Sequence, residues 1–343
     1  MANHYEQLSE DKIKKAHAAN YVQPTMTLDD WVSVQGHDFS KAFDITAFFE
    51  SLFTTGFQAT ALAKAVLILK EMKKENVTIF LGFTSNMVSC GVRDVIAYLC
   101  KEKLVDVVVT TIGGVEEDLM KCLKPFVLGS YDTPGKYLRD NGINRTGDIF
   151  IPNDRYLYFE RFMMPFLKRM YEKYTVANKT LTTELFCYEL GLAIDDESSI
   201  YYWCSKNNIP VFCPAPTDGS IGDMMFFFMQ KHPDFTIDVA GDIVSITKIA
   251  INAEKTGIIA LGGSVPKHHI ANANLFREGA DYAIYLTTAQ EFEGSNAGAN
   301  IEEAISWGKI KDDAKHIKVV GDAALTFPLL VAGAFQSNLK PKT

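Results

Sequence analysis

Apolar and polar positions change period repeatedly along this chain, and the order of those changes predicts its elements. Over 61–74, Leu62, Ala65, Leu69 and Met72 recur at helical spacing, the signature of one buried helix face. Residues 77–83 then form a continuous β-rich apolar run, which predicts a strand buried on both sides. The exchange repeats as a helix over 87–101, a strand over 105–111 and a helix over 116–123. Periodicity fades over 124–158, where Gly, Pro, Asn and Asp supply turn material. A helix over 162–174 follows. Helix 200–206 then leads to strand 209–213, helix 237–253 to strand 257–261, and helix 269–278 to strand 282–286. A last strand at 317–320 precedes a C-terminal helix.

Strands that alternate with helices of this length pair in parallel through crossovers. The expected fold class is therefore α/β, with a doubly wound, mainly parallel sheet. Residues 1–24 are polar and aperiodic and are expected to form an N-terminal arm. Residues 25–343 are expected to form a single α/β domain, since no low-complexity linker or fixed-period repeat interrupts them.

Charge narrows the partners. With 34 basic against 42 acidic residues the chain carries −8, which disfavours nucleic acid and leaves room for a cationic ligand. The six cysteines show no CxxC pair and no Cys/His ligand spacing, so reduced thiols are expected and a metal site is not. The N-terminal residues lack an apolar signal-like core, and the longest tight apolar run, Met224 to Met229, is far short of a membrane span. The expected setting is cytoplasmic, with no membrane contact.

Ligands of doubly wound sheets collect beyond the C-terminal strand ends, so the loops there carry the candidate chemistry. The first, Gly82 to Ser89, offers Thr84, Ser85 and Asn86 as helix caps. Its following helix has no acid before Asp94, so it suits either plain capping or a phosphate. No GxGxxG or P-loop motif occurs. The second loop, Thr110 to Asp118, combines Gly113 and Gly114 with Glu116, Glu117 and Asp118. These acids suit a helix N-terminus, or the hydroxyls or ammonium of a ligand. The third, Thr217 to Asp223, brings Asp218 and Asp223, and the fourth, Gly262 to His269, brings two histidines. Farther on, 291–309 runs from acids through a Gly/Ser/Asn loop into a helix start. There Asn300 can cap and Glu303 stands where a capping box wants a Glu. Glu303 and Trp307 are four apart, Gly308 stops the helix, and Lys309 follows. A carboxylate, an indole and an amine brought together would serve covalent chemistry on a cationic amine. A capped surface helix with a solvated lysine is the alternative.

The segments Gly-Phe-Thr-Ser-Asn86, Thr-Thr-Ile-Gly-Gly-Val-Glu-Glu-Asp118, Asn141-Gly-Ile-Asn-Arg145, Thr-Asp-Gly-Ser-Ile-Gly-Asp223, Lys-His-His-Ile-Ala-Asn-Ala-Asn274 and Ser-Trp-Gly-Lys309 occur in this order. Together they resemble the deoxyhypusine synthase family from about residue 77 to 327. The resemblance implies a Rossmann-like NAD-binding domain without GxGxxG. It implies NAD-dependent transfer of the 4-aminobutyl group of spermidine, through an imine on Lys309, to one lysine of the hypusine-bearing translation initiation factor 5A precursor. It further implies Lys309 as the covalent amine with His268 beside it. Glu116, Glu117, Asp223, His268, Gly294, Ser295, Asn296, Glu303 and Trp307 would surround the polyamine. Ser85, Asn86, Met87, Val88, Ser89, Thr111, Ile112, Gly113, Glu117, Asp218, Gly263, Thr288, Asp322 and Ala323 would surround NAD. A homotetramer, built as a dimer of dimers with active sites at an interface, is implied as well. Covalent catalysis needs the Lys309 amine uncharged, which predicts an alkaline optimum.

Two positions depart from the family pattern. Asn296-Ala297-Gly298 stands where Asp-Ser-Gly is usual, which removes a counter-charge and predicts weaker spermidine binding. Ile112 stands where a small residue is common, beside the expected cofactor loop. Two other activities fit the same lysine chemistry. One is homospermidine synthase, with putrescine as acceptor, and the other is a non-catalytic subunit that activates a paralogue.

Overall fold

The structure, a computed structural model, describes residues 8–21 and 27–339. The chain divides into two compact units, Met1–Gln35 and Gly36–Thr343. In the first, the helix Glu10–Tyr21 carries exposed side chains over 10–18. The expected arm of residues 1–24 lies partly outside the described residues.

The second unit is built on a six-stranded sheet. Its strands are β1 (Thr78–Phe83), β2 (Val107–Thr110), β6 (Val211–Phe212), β7 (Thr256–Leu261), β8 (Ala280–Thr287) and β9 (Ile310–Val320), in the order β6-β2-β1-β7-β8-β9. Every pairing is parallel. Alternate residues feed two cores. Ile79, Leu81, Phe83, Ile259, Leu261, Ile284 and Leu286 face one, and Phe80, Val107, Val109, Ile258, Ala260 and Ala283 face the other. Burial on both faces explains why these strands are continuous apolar runs rather than alternating ones. The α/β doubly wound expectation holds.

The chain runs outward from β1 through β2 to β6, then crosses back to β7 and runs outward through β8 to β9. Strand order therefore reverses between β1 and β7, the point at which doubly wound sheets open a crevice beyond the carboxyl ends of their strands. The loops after β1 and β7 flank that crevice.

Several features differ from the pattern-based expectations. The helix expected over 116–123 begins at Ile112, which places Gly113 and Gly114 in its first turn and Glu116, Glu117 and Asp118 beyond it, and the helix expected over 87–101 is broken into Asn86–Ser89 and Val92–Lys101. Residues 124–158, expected to be irregular, contain a three-stranded antiparallel sheet of β3 (Val127–Leu128), β4 (Ile143–Thr146) and β5 (Ile149–Pro152), with the helix Gly135–Asp140 between β3 and β4. Its strands are too short to show a period, and the β4–β5 hairpin turns at Gly147, φ +61. The helix Thr183–Ile194 was not signalled, because its apolar positions are spread around it. The helix expected at 269–278 starts earlier, at Ser264. β9 extends well before 317 through charged positions that no alternation betrays.

Candidate active site

A cavity of about 490 Å³ opens between the helix Ser264–Leu275, β8 and the segment 296–309. Lys267, His268, Asn272, Tyr285, Asn296, Glu303, Trp307 and Lys309 line it. Local sequence sets this arrangement. Asn300 caps the short helix Ile301–Ser306 by accepting from Ile301 N at 2.7 Å. Gly308, at φ +70, ends it and turns Lys309 back toward β9. Glu303 and Trp307 share one face, as their spacing predicts. The expected Asn300–Glu303 capping box does not form; a box forms instead at Gln290 and Glu293. The Glu303 side chain is left to the cavity.

The Lys309 amine lies 3.4 Å from His268 Nε2 and 5.3 Å from the centre of the Trp307 ring. Asn272 Nδ2 lies 3.3 Å from His268 Nδ1. With that amide donating, the ring proton sits on Nε2 and points at Lys309, a contact that an uncharged amine accepts. Burial and the Lys309 charge hold the His268 pKa below its usual value, which favours the neutral ring.

Two residues missed from sequence share this cavity. Lys267 is buried; its amine donates to the carbonyls of Asn296 at 2.8 Å and Ala299 at 3.2 Å and lies 4.2 Å above the Tyr285 ring. Burial pushes its pKa down to about 8, helped by the Lys318 charge and opposed by Glu303. The Tyr285 hydroxyl is buried without a partner. The available signal was helical spacing: Lys267 stands three residues before Ile270, which packs on the sheet side of that helix.

The segment 294–298 is clamped from several sides. Lys318 donates to Gly298 O at 2.6 Å, and Asn296 Nδ2 donates to Ser264 O at 2.9 Å. The second is a bond that a carboxylate at position 296 could not make. A Cβ on Gly263 would sit 2.6 Å from Ala297 Cβ, so the two loops touch where both residues are small. Gly294 and Ser295 lie on this segment beside the cavity lining.

Glu116, Glu117, Asp218 and Asp223 gather separately, and none of them lines the Lys309 cavity. The three acids of the second loop have three different surroundings. Glu116 accepts from Ile221 N at 2.8 Å at the start of the helix Ser220–Met229, and a Cβ on Gly219 would sit 2.8 Å from its carboxylate. Glu117 accepts from the Ser89 hydroxyl. Asp118 is fully buried against Arg93. Burial pushes Glu116 and Glu117 each up to about 7, with Asp223 and Asp218 raising Glu116 further.

These two shifts carry a sign. A carboxyl whose folded pKa is raised stabilises the fold fully below its unfolded pKa of about 4.3, and that contribution is lost as pH rises through about 7. The thermal midpoint of the ligand-free protein is therefore expected to fall between pH 5 and 8, and the Glu117→Gln protein to show a shallower fall. A steeper fall in the variant would contradict the assignment.

The expected cofactor residues lie on the segments that follow the carboxyl ends of the sheet's strands. Thr111 Oγ1 accepts from Ser85 N at 3.1 Å and so joins the loops after β1 and β2. The loop after β1 makes only one helical turn, Asn86–Ser89, in which Met87, Val88 and Ser89 are buried and Ser85 and Asn86 are less so. Ile112 is buried against Gly219 beside Gly113, so its bulk occupies the core. Gly262, at φ +77, ends β7, and a Cβ there would meet nothing within 4 Å. The backbone is open to close approach at that point. Thr288 follows β8, and Asp322 caps the helix Ala323–Gln336 after β9 with one carboxylate oxygen, 2.9 Å from Ala324 N.

Comparison with known proteins agrees with this architecture. The family model described as deoxyhypusine synthase matches residues 47–334. A probable deoxyhypusine synthase of Methanocaldococcus jannaschii is 53% identical over 290 residues, covering 80% of this chain and 88% of that protein. The deoxyhypusine synthase of Musa acuminata is 46% identical over 348 residues, covering 93% of each. A crystal structure of a provisionally named deoxyhypusine synthase from Entamoeba histolytica superposes with TM-score 0.67 at 28% identity, covering 90% of this chain and 99% of that one.

Proposed function

The chain belongs to the deoxyhypusine synthase family, enzymes that transfer an aminobutyl group, and we propose that it moves the 4-aminobutyl group of spermidine onto a lysine of the hypusine-bearing translation initiation factor 5A precursor. The observation that carries this reading is the Lys309 amine held between His268 and Trp307 inside a cavity that also holds Glu303.

In this reading the loops around Ser85–Ser89, Thr111, Gly113, Asp218, Gly263, Thr288, Asp322 and Ala323 would hold NAD, which would supply the hydride acceptor and later the hydride donor of the transfer. Lys309 attacks the imine carbon of oxidised spermidine, 1,3-diaminopropane leaves, and the butyl imine on Lys309 passes to the acceptor lysine. His268 hydrogen-bonds the free amine through its Nε2–H and positions it for attack. Trp307 walls the cavity and offers its ring face to the alkylammonium chain. Glu303 supplies a charge-assisted hydrogen bond to an ammonium, and the unpartnered Tyr285 hydroxyl supplies a neutral one.

One carboxylate is few for a polycation, and Trp307 is 66% exposed in the single chain. Both features support the expected homotetramer, in which a dimer interface closes the cavity and brings Glu116, Glu117 and Asp223 of a second copy to it. Among the described residues no helix is long and apolar enough to cross a membrane, and a cytoplasmic setting suits the proposed protein substrate.

The test is incubation with NAD and butyl-labelled spermidine, offering the factor precursor and putrescine together. Label is expected in the protein. Label in homospermidine instead would overturn the acceptor assignment, and no transfer to either, with no adduct trapped by borohydride on Lys309, would overturn the catalytic reading.

A further inference from the structure

We infer that Lys121 is a positioning residue for the cofactor loop, clamping the single turn Asn86–Ser89 from beneath and fixing Ser89 against Glu117. The inference rests on the NAD reading of that loop and assigns the residue that gives the loop its shape.

A four-residue helix cannot satisfy its own last carbonyls, and each one left bare in a half-buried place is costly. Lys121, on the helix Ile112–Leu123, meets this need with one side chain. Its amine donates to Val88 O at 2.9 Å, Ser89 O at 3.0 Å and Cys90 O at 3.1 Å. An ammonium has three N–H groups, and all three are used. The Phe126 ring lies 5.8 Å from the amine and covers it. The turn is also tied at its start, by Ser85 N to Thr111 Oγ1, and through the Ser89 hydroxyl to Glu117. Glu117 and Lys121 are one helical turn apart on the same helix. One helix face thus holds both the end of the turn and the acid to which it is tied. Buried Met87 and Val88 anchor the turn to the core, but packing leaves Val88 O and Ser89 O without backbone partners and Cys90 O with only Arg93 N at 3.4 Å. The lysine supplies them.

Lys121→Met keeps the length of the side chain and removes all three donors. The expected result is faster amide hydrogen exchange confined to residues 84–90, with protection of the central strands unchanged. The KM for NAD is expected to rise about tenfold, the change that corresponds to loss of one hydrogen bond to a charged group, and to rise by more than kcat falls. Lys121→Arg, which keeps the charge and N–H donors but spreads them over a planar fork, is expected to restore part of both. Unchanged exchange over 84–90 in a folded Lys121→Met protein would overturn the clamp. A parent protein that binds no NAD by calorimetry would overturn the cofactor reading, and the exchange experiment, which needs no ligand, would still decide the clamp.

Discussion

Lys309→Arg is expected to abolish aminobutyl transfer, leaving less than about a thousandth of the parent rate, while the protein stays folded and binds its ligands. Arginine keeps the length and charge of the side chain beside Trp307 and His268, so the cavity keeps its electrostatics. Its guanidinium stays protonated at any working pH and has no lone pair with which to form an imine. Lys309 is only partly buried, and substitutions of such residues usually change stability by less than about 0.5 kcal/mol. Borohydride reduction with labelled spermidine should then trap no adduct on the variant. A second amine shares the cavity: Lys267, whose pKa is pushed down to about 8, is the alternative nucleophile. An adduct mapped to Lys267 in the Lys309→Arg protein would reassign the covalent step. Retained transfer with no adduct would remove it.

How much of this was legible in the sequence depended on whether one period governed each stretch. The central strands announced themselves because burial on both faces leaves no polar position to interrupt β1 or β7. The Trp307–Gly308–Lys309 end of the site was legible for a local reason: a four-residue spacing and a glycine stop need no tertiary information. Lys267 was not, because a lysine in a helix is ordinarily solvated, and only the carbonyls of a distant loop and the ring of Tyr285 make this one a buried cation. The acids of the second loop show the same limit. Glu116, Glu117 and Asp118 are adjacent and chemically alike, yet a helical turn points them toward the start of Ser220–Met229, toward Ser89 and into the core. Sequence could count the charges but could not say which would face a ligand.

Asp118→Asn should therefore produce the largest loss of stability among these neighbouring acids, and for a reason separate from chemistry at the site. Its carboxylate is completely buried and accepts from Arg93 Nε at 2.7 Å, Ser199 Oγ at 2.6 Å and Ile200 N at 3.2 Å. It thereby joins the helix that carries Glu116, Glu117 and Lys121 to the helices Val92–Lys101 and Ile200–Asn207. The amide is nearly isosteric but uncharged, and it leaves the buried Arg93 guanidinium with only the exposed Asp94 carboxylate, 3.7 Å from Nη1, as a counter-charge. Breaking a buried pair from one side costs about 3–5 kcal/mol, about 4–7 °C in thermal midpoint for a chain of this size. Removing both charges, as Arg93→Met with Asp118→Asn, should recover part of the loss, because no bare charge then remains, whereas independent contributions would make the double variant worse than either single one. A midpoint for Asp118→Asn within about 1 °C of the parent would mean that solvent reaches Arg93 and that the pair is not the joint between these helices.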